Sequence, residues 1–152
     1  MWSRYFESLG TLNFGIGGDR TQHVLWRIEH GEVPSNLKVA VLHCGTNNIS
    51  RNTPAQICGG IAAIVNSLLR IKPGVKVIVA GLLPRGSGGL PFLSYRENIL
   101  DVNRRLCRWC QGMGDRGVYF LGADGDWARP DGRVNARLYF WKDHLHLSEE
   151  GN

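Results

Sequence analysis

Asp143-His144-Leu145-His146 places a carboxylate three residues before a histidine. Imidazole works as a general base near neutral pH when a carboxylate fixes its tautomer and stabilises its charged form. Three residues of separation on one turn bring the Asp143 carboxylate under the ring of His146, whereas Asp143 and His144 are adjacent and pair less well. A metal-binding reading of the same residues needs further ligands, and the sequence offers none at a matching spacing.

Two other stretches could stabilise negative charge. Gly15-Ile16-Gly17-Gly18-Asp19 is a glycine-rich turn that presents bare backbone N–H groups, and such a turn can donate to an anion or a transient oxyanion. It is not a dinucleotide fingerprint, because Arg20 stands where the third glycine of G-x-G-x-x-G is required. Gly45-Thr46-Asn47-Asn48 carries two adjacent amides. They could cap a loop through their own backbone, or donate a side-chain N–H to a developing oxyanion.

These loops need a scaffold, and the pattern around them alternates strand-like and helix-like runs, which implies a parallel sheet covered by helices. Trp2 to Leu9 reads as a helix end, Thr11 to Phe14 as a short strand, and Thr21 to His30 as a helix with Val24, Leu25 and Ile28 on one side. Leu37 to Cys44 reads as a buried strand, since a parallel strand covered on both faces is apolar throughout. Thr53-Pro54 opens a helix with an N-cap and a proline at its first position, and Ile57, Ile61, Ile64, Val65 and Leu68 keep the helical period. Val75 to Leu82 is the next strand, followed by a Gly/Pro-rich loop over Pro84 to Pro91. Ser94-Tyr95-Arg96-Glu97 has the form of a capping box ahead of a helix with Ile99, Val102, Leu106 and Cys110 inward. Val118 to Leu121 is the last strand, Asp131-Gly132 marks a turn, and Ser148 starts a further element. The expected fold is a flavodoxin-like three-layer α/β/α sandwich, in which ligands sit at the carboxyl ends of the strands. Each of the three loops follows such an end or lies close to the last one.

Composition narrows the rest. With 152 residues and 43% apolar content, the chain fits a single domain over residues 1–152. No apolar run of about eighteen residues or secretory signal is evident, so a cytoplasmic protein that does not span a membrane is expected. The net charge of +5 comes from scattered Lys and Arg without interleaved aromatics, which reads as a solvated surface rather than a nucleic-acid site. Cys107-x-x-Cys110 lacks a second Cys/His pair for zinc, so the four cysteines read as buried free thiols.

Taken in order, the glycine turn, the asparagine pair and the D-x-x-H resemble the second, third and fifth blocks of the SGNH (GDSL) hydrolases. The runs NFGIGGDRTQHVLWR, HCGTNN, GLLPRG and DHLHLS look like the intracellular platelet-activating-factor acetylhydrolase α subunits, a resemblance running from about Trp2 to Gly151. It implies ester hydrolysis through an acyl-enzyme, without metal or organic cofactor. It implies His146 as general base, Asp143 as its orienting carboxylate, and Gly18 (backbone N–H) and Asn47 (side chain) as oxyanion donors. Thr46 and Leu145 would then border a small acyl pocket suited to an acetyl group on a phospholipid such as platelet-activating factor. It further implies homo- or heterodimers with a related α subunit and a WD40-repeat β subunit as partner.

The nucleophile is where the resemblance breaks. The family serine lies in a Gly-Asp-Ser turn after the first strand, and these 152 residues contain no Gly-Asp-Ser. Of the eight serines, Ser3 is nearest, but it falls in the helix that should follow the nucleophile. The first strand of a flavodoxin-like sheet is central, so its absence would remove two hydrogen-bond ladders. The expectation is therefore a domain incomplete at both ends, lacking that strand, the serine and a closing C-terminal helix. Two functions follow: a serine ester hydrolase whose nucleophile is encoded upstream, or a non-catalytic subunit that dimerises with an active homologue.

Overall fold

The computed structural model describes residues 6–123 and 125–151. Trp2 to Tyr5 of the expected helix end, including Ser3, lie outside the described residues; Glu7–Leu9 forms a single 3-10 turn. The chain divides into two compact units, one built from residues 19–83 and 95–125, the other from 1–18, 84–94 and 126–152.

The first unit carries the sheet. Strands β1 (Val39–Leu42), β2 (Lys76–Ala80) and β3 (Val118–Leu121) are all parallel, in the order β1-β2-β3. Val39 pairs with Lys76 and Val77 with Val118, and both registers run on without a bulge. Helix α1 (Thr21–Glu29) precedes β1, while α2 (Pro54–Ile71) links β1 to β2 and α3 (Arg96–Gln111) lies between β2 and β3, the crossover geometry that parallel strands require.

Helix α2 shows why this sequence takes this shape. Thr53 Oγ1 accepts from the Gln56 N–H at 3.3 Å, Gln56 Oε1 accepts from the Thr53 N–H at 2.9 Å, and Pro54 occupies the first turn. Its expected stripe of Ile57, Ile61, Ile64, Val65 and Leu68 is buried against Val77, Val79 and Val118. Each such side chain contributes about 1.5–3 kcal/mol on burial. That outweighs the roughly 1 kcal/mol that Gly59 and Gly60 each cost inside a helix. Gly60 has its own use, because a Cβ there would lie 2.6 Å from Thr21 Oγ1, so the missing methyl lets α1 approach. By length and composition α2 could also cross a bilayer, but its isoleucine stripe is packed into this core.

Three expectations need correction. The strand over Leu37 to Cys44 is shorter, and only one of its faces is covered among the described residues. Leu42 is buried while Val39 and Val41 are 49% and 66% exposed. Its outer edge carries no paired strand among the described residues. Thr11 to Phe14 is not a strand; Leu12 and Phe14 stand exposed. An extended segment holds its conformation through ladder partners, and no strand or bridge pairs with it among the described residues. Helix α3 does not start from a Ser94 capping box: its N-cap is Tyr95 at φ 56°, without a side-chain cap. Ser94 is instead held by the preceding loop, donating its N–H to the Arg85 carbonyl at 2.8 Å.

In the second unit, short antiparallel bridges (Phe92 with Arg133, Ala128 with Val134, Tyr139 with Leu147) surround buried Val134 and Tyr139. The Asp131-Gly132 turn forms as expected, with Gly132 at φ 79° and Asp131 Oδ1 accepting from the Arg133 N–H.

Candidate active site

Asp143 and His146 meet in one tight turn. Asp143 Oδ1 accepts from the backbone N–H of Leu145 (2.9 Å) and of His146 (3.0 Å), and Oδ2 lies 2.8 Å from His146 Nδ1. A carboxylate can only accept, so in the neutral ring Nδ1 carries the proton and Nε2 keeps its lone pair. The ring is 73% exposed, which leaves Nε2 open to take a proton from outside the turn. Partial burial pushes the Asp143 carboxyl up, but the hydrogen bonds from the His146 ring and two backbone N–H groups, together with the His146 charge, outweigh it. The net effect holds Asp143 below its ordinary value, as the ionised partner of an imidazole must be. His144 makes no such pair: the expected preference for His146 over its neighbour is the arrangement found.

Gly18, in the same compact unit, sits at φ 85°, a backbone region that disfavours a side chain. Its N–H takes no partner among the described residues. Leu145 is half-buried beside the dyad.

Thr46 and Asn47 belong to the sheet-bearing unit, in a 3-10 turn (Thr46–Asn48) just beyond β1. Gly45 opens this turn at φ 115°, a backbone region that disfavours a side chain, and a Cβ there would press on Ile57 Cγ2 at 3.0 Å. The two asparagines then divide. Asn48 is buried and structural: its Oδ1 accepts from the Thr21 N–H at 3.0 Å, and its Nδ2 donates to Gln22 Oε1 and Asn52 Oδ1. Asn47 is half-buried, and its Nδ2 donates to the Asp19 carbonyl at 2.9 Å. That contact fixes which end of the amide is nitrogen and leaves the second N–H without a partner among the described residues.

The profile of the GDSL-like Lipase/Acylhydrolase family matches residues 1–152. The chain belongs to this family. It is similar to platelet-activating factor acetylhydrolase IB subunit alpha1 of Rattus norvegicus, 41% identical over 99% of this chain and 62% of the relative. It is likewise similar to subunit alpha2 of Homo sapiens, 40% identical over 99% of this chain and 63% of the relative. The chain thus spans somewhat under two thirds of the length of these relatives. Among solved structures, it resembles a GDSL-like lipase from Bacteroides thetaiotaomicron, at TM-score 0.81, 19% identity, and 99% and 73% coverage of the two chains. A carbohydrate esterase family 3 structure from Talaromyces cellulolyticus gives TM-score 0.67, 21% identity, and 88% and 61% coverage. These two likenesses establish the α/β fold.

Sequence reasoning about this GDSL-family chain missed Asp19 and Asn48. The Asp19 carbonyl aims Asn47, and its carboxylate is anchored by Arg27 at 2.5 Å, which also pairs with Glu32. The signal was present in Gly18-Asp19-Arg20, where an acidic residue follows the glycines. Nothing local marked it as a support for a loop twenty-eight residues away.

Proposed function

We propose that this protein is an SGNH-type serine ester hydrolase that removes a short acyl group, acetyl by preference, from a phospholipid such as platelet-activating factor. The observation that carries this reading is the Asp143–His146 pair, with Nδ1 on the carboxylate at 2.8 Å and Nε2 exposed. His146 takes the proton of a serine hydroxyl as it attacks the ester, then returns it to the leaving alcohol; water releases the acyl-enzyme by the same steps. The Gly18 N–H and the free Asn47 N–H stabilise the oxyanion, while Thr46 and Leu145 border the acyl group. No metal or cofactor takes part. The serine is supplied by a Gly-Asp-Ser segment outside these 152 residues, and the protein works in the cytoplasm beside a related α subunit and a WD40-repeat β subunit.

The test joins the chain to an upstream apolar strand ending in Gly-Asp-Ser and follows hydrolysis of short acyl esters. Activity should be lost with His146→Ala and fall about 10²–10³-fold with Asn47→Ala, the usual cost of one oxyanion donor. Equal turnover with His146→Ala refutes the assignment.

The exposed outer side of β1, at Val39 and Val41, favours a second reading: a non-catalytic subunit that pairs with an active homologue. It requires a folded, monodisperse 152-residue protein without esterase activity that binds the homologue; aggregation or non-cooperative unfolding of the chain counts against it.

A further inference from the structure

His144 lies between the two dyad residues and is one of two described non-glycine residues at positive φ, at 51°. Its backbone is fully engaged. The His144 N–H donates to the Phe140 carbonyl at 2.9 Å, and its carbonyl accepts from the Gly86 N–H at 2.8 Å. The Phe140 N–H in turn donates to the His146 carbonyl at 2.8 Å, closing residues 140–146 into a ring. The left-handed residue is the reversal within that ring. It sends the chain back so that the Leu145 and His146 N–H groups reach Asp143 Oδ1.

The Pro84–Leu90 loop holds this reversal in place. A Cβ on Gly86 would lie 2.2 Å from the Leu90 carbonyl oxygen of its own loop and 2.8 Å from His144 Cβ, so only glycine fits between the loop's return and residue 144. Tyr139, buried next to the ring, donates its hydroxyl to the Pro84 carbonyl at the start of the same loop. The His144 imidazole contributes little to any of this: its buried Nδ1 has no hydrogen-bond partner among the described residues.

We propose that residue 144 is a positioning residue that acts through its left-handed backbone, latched by Gly86, and not through its imidazole. The proposal rests on the dyad reading of Asp143 and His146. It requires that side chains which accept positive φ preserve the dyad and that a β-branched one destroys it. Long-range proton–nitrogen spectra of the intact chain report the tautomer of neutral His146. Wild type, H144G and H144N should show the Nδ1–H form; H144V and the control D143A should shift to the Nε2–H form of a free imidazole. If wild type lacks the Nδ1–H form, the dyad itself is wrong. If wild type shows it while H144G or H144N loses it, or H144V keeps it, the dyad stands and the backbone role is refuted. Should H144V fail to fold, the glycine and asparagine variants decide alone, since they must retain both the tautomer and helical circular dichroism.

Discussion

Replacing Asn48 by alanine should destabilise the sheet-bearing unit far more than replacing its neighbour Asn47. Asn48 is 2% exposed and its Oδ1 satisfies the N–H of Thr21, which opens α1 and is itself 5% exposed. Without it, a helix N-terminal donor is left buried and unpaired, at about 1–3 kcal/mol. Losing the two Nδ2 bonds adds about 1 kcal/mol in total, because the Gln22 and Asn52 side chains lie nearer to water. The sum is about 3 kcal/mol, roughly a hundredfold in the folding constant. Asn47 holds one bond, to the Asp19 carbonyl, so Asn47→Ala should cost about 1 kcal/mol. Urea unfolding followed at the helical signal resolves the two: with a slope of about 2 kcal/mol/M, the midpoints should move by about 1.5 M and about 0.5 M. A smaller shift for Asn48→Ala than for Asn47→Ala would show that the division of labour between the two amides is wrong.

The Asp143 carboxyl is held below its ordinary value by the His146 ring and two backbone N–H groups, against partial burial that pushes it up. A folded value below the unfolded one means that its stabilisation is present above about pH 4 and is lost as pH falls through the folded value. Wild type should therefore lose stability relative to Asp143→Asn below about pH 4, and a flat difference across that range would contradict the turn geometry. For the thiols, burial and the negative charge of Asp19 push Cys44 up to about 12, and burial with Cys107 nearby pushes Cys110 up to about 11. Both should react with an aromatic disulfide at pH 8 about a hundredfold or more slowly than a free cysteine, as their thiolate fractions require; rapid labelling of all four cysteines in native protein would refute this.

Where local chemistry decides structure, the sequence was legible. The Thr53-Pro54 start of α2 and its isoleucine stripe depend on spacing alone, and both form as read. The D-x-x-H turn is equally local. Illegible features depend on distant partners. The Thr11–Phe14 segment has strand composition, but a strand exists only through a neighbour. Ser94 had the right successor for a capping box and lost it to a tertiary bond with Arg85. The Thr21 N–H at the start of α1 is satisfied by Asn48, twenty-seven residues further along the chain, a distance at which no local pattern is written.

The close fit of Gly45 over Ile57 has an evolutionary consequence. The turn that aims Asn47 rests directly on a core methyl of α2, so drift in the packing of that helix is felt as a change in the orientation of the amide. Substitutions at Ile57 are visible to selection twice, once through folding and once through the position of Asn47. The core beneath this loop should therefore change more slowly than cores elsewhere in the same sheet.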